Sequence, residues 1–303
     1  MLSPTFKGLL LGLSAVAMWG SYLAYSRAGV TAGLRPEDFV FLRYAVAGCI
    51  MLPWLLGRDP AGLGGVGWGR GFLLALTAGP LFIYLGIAGF LFAPLAHGAV
   101  IQPSTVTLAS ILAAWLLLGE RLSATRLTGT AMIIAGLCLI AIGPSDIETG
   151  PTWIGDLLFV SAGLLWAAFT ILLRHWSVAA IPATAAVSVL SAMIVVPLFL
   201  AFGTLDRLSA LDPATLAIQT LVHGVFAGVL AIVAYAKAVE ILGAAGAALF
   251  PALVPAAGLI AGIPIAGEMP SPTEWIGAVV TTCGLAVAMG ATRLIRWNGG
   301  RKA

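Results

Sequence analysis

The chain has 303 residues, 60% of them hydrophobic and only 9% charged, with a mean hydropathy of +1.06. Soluble domains carry about 25% charged residues, so fifteen Lys/Arg and twelve Asp/Glu cannot clothe a water-facing globule of this size. A soluble enzyme, a disordered chain and a disulfide-stapled scaffold are excluded, which leaves an all-α polytopic membrane protein.

Apolar runs punctuated by Gly, Pro and charge predict ten transmembrane helices, taken here in chain order. The first, 6–26, stays apolar to about Tyr25 and lacks an A-x-A-like cleavage site, so it reads as a retained span and not a signal peptide. The next four are 38–56, 70–92, 95–118 and 124–142, and a polar stretch, Gly143–Pro151, closes this part. The second group is 155–174, 183–202, 213–236, 243–266 and 274–293. Each run is near the roughly 20 residues that cross a bilayer, and backbone groups in lipid must pair within their own segment, so these runs are helices. Asp212-Pro213 reads as an N-cap with proline at the first helical position, and Ser271-x-x-Glu274 as a capping box.

Basic residues orient the spans. With the N-terminus inside, eleven Lys/Arg fall on the cytoplasmic side, three (Arg27, Arg35, Arg207) outside, and Arg43 within span two. The positive-inside rule then places both termini in the cytoplasm of a multi-pass protein of the cell inner membrane. The net charge of +3 follows from that asymmetry and suggests no nucleic-acid partner. Trp68, Trp153, Trp275 and Trp297 are expected at the membrane interfaces.

The chain also matches itself at an offset near 148. Pro103, Val106, Ala109 and Ala113 correspond to Pro251, Val254, Ala257 and Ala261. Gly119-Glu120-x-x-Ser123-x-Thr125 corresponds to Gly267-Glu268-x-x-Ser271-x-Thr273, and Gly129, Gly136 and Leu137 to Gly277, Gly284 and Leu285. Near the start of each part, Gly8 and Trp19 match Gly155 and Trp166. The implied organisation is a first five-helix repeat over 1–143, an outer linker over 144–152, and a second repeat with a short basic tail over 153–303. Five is odd, so the two copies lie upside down relative to each other, as in secondary transporters that hold substrate near the bilayer midplane.

The Met18-Trp19-Gly20 turn and the Pro103 and Pro251 helices, each ending in a Gly-Glu pair before a glycine-bearing last span, resemble the drug/metabolite transporter superfamily, in its EamA branch of ten-helix permeases. The resemblance covers essentially the whole chain. It implies alternating access around a central cavity walled by spans 1, 3, 4, 6, 8 and 9. Within the family the Trp19/Trp166 pair is similar to that of aromatic amino acid exporters of the YddG type, which place an aromatic residue before the fourth-span proline where this chain has Gln102.

Residue chemistry nominates the substrate-binding candidates. Trp19 and Tyr22 lie on one face of span one with Gly8, Gly12, Ala15 and Ser26, and Trp166 lies similarly in span six. A mid-span Trp needs room and an indole partner, which suits a cavity wall. Gln102 carries an amide that is costly in hydrocarbon unless paired. Its repeat mate is Phe250, and the two are expected to approach the pseudo-twofold axis. Tyr84 offers a cavity hydroxyl. His223 is an intramembrane ionisable group, whereas Arg43, about one turn into its span, is expected to snorkel to the outer interface. Pro80, Pro103, Pro251 and Pro255 are the expected helix breaks or gating points.

Other chemistry is poorly supported. All twelve carboxylates fall at span ends or in connections, which disfavours an acidic proton relay and the binding of cationic drugs. There is no P-loop for ATP and no metal or cofactor motif, and Cys49, Cys138 and Cys283 sit in apolar runs. A small neutral or zwitterionic solute fits best, an amino acid with an aromatic or apolar side chain foremost, carried by a monomer, or alternatively an oligomer, embedded in the lipid bilayer. The competing readings are an intramembrane hydrolase, with Ser14 of Gly12-Leu13-Ser14-Ala15 as nucleophile and His223 as base, and a lipid-moving bundle.

Overall fold

Backbone groups surrounded by lipid find partners only within a helix or a closed sheet, and among the described residues of the computed structural model every regular element is helical. The structure describes residues 3–118, 123–141, 151–203, 205–247 and 249–289. The expected linker over 144–152 lies mostly outside them, as do Gly119-Glu120 and the basic tail with Trp297.

The helices are α1 (Pro4–Thr31), α2 (Pro36–Leu56), α3 (Trp68–Ala78), α4 (Pro80–Ala88), α5 (Leu95–Leu118), α6 (Ala124–Ala141) and α7 (Thr152–Trp176). They continue as α8 (Ala180–Phe202), α9 (Leu205–Ser209), α10 (Pro213–Thr220), α11 (Ala231–Ala247), α12 (Leu249–Ala266) and α13 (Pro272–Ala288). A 3₁₀ turn, Gly89–Leu91, extends α4, and a π-helical segment, Leu221–Leu230, joins α10 to α11. Among the described residues nine helical stretches are long and apolar enough to cross a membrane, and α13 is a further apolar helix of 17 residues. This is a multi-pass membrane protein. Its outer belt agrees with that: Phe202 is 85% exposed and Ile260 60%, an apolar surface that water would not tolerate.

Local chemistry sets the helix starts. Ser3 caps α1 by accepting the Phe6 N–H, with Pro4 at the first position. Asp212 accepts the Thr215 N–H at 3.0 Å ahead of Pro213. Ser271 and Glu274 form the reciprocal box, with the Glu274 carboxylate accepting the Ser271 N–H at 2.6 Å.

The prolines behave less uniformly than their sequence suggests. Pro80 opens α4 after a discontinuity at Gly79, where φ is −92° and ψ −141°. Pro251 sits in the first turn of α12, where a missing N–H is harmless. Pro103 and Pro255 interrupt nothing: α5 and α12 run through them. The irregularities fall instead at the π segment and at Gly243, whose φ of +75° breaks α11 near its end.

Packing between helices follows a reciprocal scheme. α1 lies on α11 and α12, α7 on α4 and α5, α2 on α8, and α6 on α13. Lipid supplies no hydrophobic drive between helices, so close approach of small residues does the work. Along the α6/α13 seam, Gly136 faces Thr281 and the Gly277 carbonyl, while Gly284 faces the Ile133 backbone and the Gly129 carbonyl. A Cβ on Gly136 would stand 2.6 Å from the Gly277 oxygen. Trp68 and Trp153 are 53% and 60% exposed at helix starts, and Trp275, in the first turn of α13, packs against the Ala96–Val100–Leu259 cluster.

Candidate functional site

Three helices each contribute a pair four residues apart, hence on one face: Tyr22 and Ser26 from α1, Phe39 and Arg43 from α2, and His223 and Ala227 from the π segment, preceded by Gln219 of α10. They meet in a buried polar and aromatic cluster where α1, α2 and the π segment pack together.

His223 is fully buried at its centre. Its Nδ1 lies 2.9 Å from the Gln219 carbonyl, which can only accept, so Nδ1 carries the proton. Nε2 lies 3.0 Å from the Ser26 hydroxyl and in a neutral ring accepts from it. That hydroxyl has an alternative acceptor in the Tyr22 carbonyl at 2.7 Å. The imidazole is wedged between Tyr22, edge-on with centroids 5.0 Å apart, and Phe39 at 4.9 Å. Gln219 is anchored through its Nε2, which donates to the Tyr25 carbonyl at 2.9 Å.

Arg43 departs from the sequence expectation. It does not reach outward: only 8% of it is exposed, and its guanidinium carbon lies 5.7 Å from the Tyr22 ring centre and 6.0 Å from that of Tyr44. The reason is the face it shares with Phe39, which turns it toward α1 instead of along lipid. Its Nη2 donates weakly to the Ala227 carbonyl at 3.4 Å. Tyr44 donates its hydroxyl to the Ala78 carbonyl at 3.0 Å, beside the α3/α4 discontinuity. π segments are uncommon and concentrate at functional sites.

The remaining sequence candidates are distributed around this cluster. Trp19 contacts Tyr235 of α11 at 5.6 Å, and Trp166 contacts Phe82 of α4 at 4.8 Å and Phe169 at 5.1 Å. The Gln102 side chain lies against Gly86 of α4, where Ala162 of α7 also approaches, and the residue is half-buried. Phe250 is 4% exposed and fills the notch left by Gly12 on α1. The two repeat mates are therefore seated on different helices, because each packs onto α7 or α1 and not onto the other. Tyr84 is 44% exposed on α4. Ser14 donates to the carbonyl of Leu11 in its own helix. Ser26, the hydroxyl bonded to His223, lies twelve residues further along α1, about 18 Å away at 1.5 Å per residue, so the imagined Ser14–His223 pair is out of reach.

Sequence reasoning passed over Phe39, Arg43 and Gln219 as site residues. The available signal was the spacing of four in Phe39/Arg43 and Gln219/His223, which puts each pair on one face.

Where α1 ends, Arg27 pairs with Glu268 and also donates to the Phe90 carbonyl, while the other Glu268 oxygen accepts the Leu95 N–H at 2.7 Å. A cavity of about 330 Å³ opens beside them, lined by Arg27, Leu95, Glu268, Ser271 and Glu274. A second, also about 330 Å³, lies between α1 and the α10/π stretch, lined mainly by apolar side chains such as Met18, Leu221 and Phe226. His97 of α5 meets Asp156 of α7 at 2.7 Å. Among the described residues no three His, Cys, Asp or Glu side chains gather into a metal site.

The chain is similar to known proteins. The model of the EamA-like transporter family matches the chain twice, over residues 6–142 and 153–290. An uncharacterized transporter of Archaeoglobus fulgidus is 27% identical over 176 residues, covering 54% of this chain and 56% of that protein, so the match spans little more than half of its length. A protein of known crystal structure has the same fold at a TM-score of 0.63 and 19% identity, over 95% of this chain and 98% of the other.

Proposed function

The chain belongs to the EamA-like transporter family, and from that premise we propose that it moves small neutral or zwitterionic solutes, amino acids with aromatic or apolar side chains foremost, by alternating access. In this reading ten spans form two inverted five-helix halves, residues 1–143 and 153–303, with both termini cytoplasmic in the cell inner membrane. α13 is the tenth span. The double family match supports the division into halves. So does the exchange in packing, where α1 lies on α11 and α12 just as α7 lies on α4 and α5.

One observation carries the functional reading. Trp19, in the first family match, touches Tyr235 in the second, and Trp166, in the second, touches Phe82 in the first. The mid-helix tryptophans therefore stand at the contact between halves, which is where an alternating-access carrier holds its solute. Ring faces there favour an aromatic or apolar solute, each ring pair contributing about 0.5–1.5 kcal/mol beyond area burial. With its Nδ1–H on a carbonyl and Nε2 on a hydroxyl, His223 serves as a fixed neutral post, and flux is exchange or downhill export without ATP.

Counterflow into liposomes containing the purified full chain tests this. Liposomes preloaded with unlabelled phenylalanine, tryptophan or leucine should accumulate the labelled amino acid transiently, and protein-free liposomes should not. Absence of counterflow for every aromatic and apolar amino acid would defeat the proposed solute class.

A further inference from the structure

We propose that Arg43 is the anchor for a carboxylate on the transported solute, with the rings of Tyr22 and Tyr44 forming the walls around it. The inference rests on the transport reading above and narrows its solute class to carboxylate-bearing molecules.

Arg43 is the seventh residue after the start of α2, about 10 Å along the helix. That depth, with 8% exposure, removes the guanidinium from bulk water. An arginine stays charged there and presents five donors in a planar fork. Among the described residues no carboxylate lies within ion-pair distance of it; its partners are the Ala227 carbonyl at 3.4 Å and the Tyr44 hydroxyl. Arg27, the other buried arginine, is by contrast fully engaged, by Glu268 and by the Phe90 carbonyl. A buried charge without a counterion is unfavourable, and two ring faces at 5.7 and 6.0 Å offset only part of that.

The shape of the deficit identifies the ligand. A guanidinium fork with two weak neutral partners and no counterion suits a carboxylate, and the adjoining rings provide a surface for an aromatic or aliphatic tail. A phosphate or dicarboxylate would bring two negative charges to a single cation, so a monocarboxylate or zwitterion balances the site best. Tyr22 belongs to α1 and Arg43 and Tyr44 to α2, so the anchor draws on two helices.

Thermal unfolding of the purified full chain in detergent tests the anchor. The probes are L-phenylalanine, 3-phenylpropionate and L-phenylalaninamide, which lacks the carboxylate. Phenylalanine and phenylpropionate should raise the midpoint of the wild-type protein at concentrations roughly 10–100-fold below those at which the amide acts, the range for losing a charge-assisted hydrogen bond. Arg43→Gln should erase that preference while leaving the weak response to the amide, and Arg43→Lys should restore part of it. Equal potency of acid and amide on the wild type, no response to any probe, or unchanged acid affinity in Arg43→Gln would each overturn the anchor. If Arg43→Gln does not fold, the acid–amide comparison on the wild type decides. Arg43-dependent carboxylate binding without counterflow would leave the anchor standing and remove the transport reading. Counterflow indifferent to the carboxylate would do the reverse.

Discussion

Glu268 ties together three parts of the bundle through one carboxylate. It pairs with Arg27 near the end of α1, accepts the Leu95 N–H at the start of α5, and itself belongs to the connection between α12 and α13. A hydrogen bond to a charged group contributes about 1.5–3 kcal/mol, and a carboxylate at a helix N-terminus gains somewhat more from the dipole. The side chains of Arg27 and Glu268 are 11% and 26% exposed, so water screens the pair only in part. Glu268→Ala should therefore lower unfolding free energy by about 2–3 kcal/mol, and Arg27→Ala by about 2 kcal/mol. Because the single variants delete the same bond, the double variant should lose about 1 kcal/mol less than their sum. SDS-driven unfolding in mixed micelles, followed by tryptophan fluorescence, measures all four proteins. Additivity within about 0.5 kcal/mol would mean that the two side chains do not interact and would refute the reasoning.

Three further outcomes are expected. Gly136→Ala should destabilise by about 1–3 kcal/mol by overpacking against the Gly277 carbonyl, whereas Gly69→Ala, with open space around it, should not, in the same unfolding assay. Phe250→Ala should cost about 2–4 kcal/mol by emptying the Gly12 notch and should leave the order of solute preference in counterflow intact; a changed order would make Phe250 a solute contact. Trp19→Ala and Trp166→Ala should each cut counterflow by about tenfold or more, as loss of roughly 1.4 kcal/mol of ring contact implies, at little change in purified yield. An equal loss of yield and flux would make them packing residues.

Much of the helical architecture is legible in the sequence because lipid imposes one rule on every span: satisfy the backbone internally over about 20 residues. Capping chemistry is equally local, so Asp212-Pro213 and Ser271-x-x-Glu274 can be located without knowing what surrounds them. Glycines at 129, 136, 277 and 284 are recognisable as a set, and the structure makes them one seam between α6 and α13. Tertiary packing hides the rest. Whether Arg43 snorkels or turns inward depends on what covers its face, and the π segment that carries its Ala227 acceptor is remote in sequence. The π register of Leu221–Leu230 is a choice made against α2 and α1, and no residue type in it demands that register. Pro103 and Pro255 look like breaks in isolation, yet α5 and α12 run through them. Gln102 and Phe250 are paired by the repeat but pack against different neighbours, Gly86 and Gly12, since internal similarity reports equivalence of environment and not contact.

The inversion of the two halves is best tested by sided labelling. In a background with Cys49, Cys138 and Cys283 replaced by serine, Ser123→Cys and Met269→Cys place single thiols at exposed positions before α6 and before α13, corresponding ends of the two repeats. A membrane-impermeant maleimide applied to intact cells should label the cysteine at 269 and reach that at 123 only after the membrane is opened. Labelling of both from the same side would contradict the inverted arrangement and, with it, the placement of Trp19, Trp166 and Arg43 at an alternating-access site.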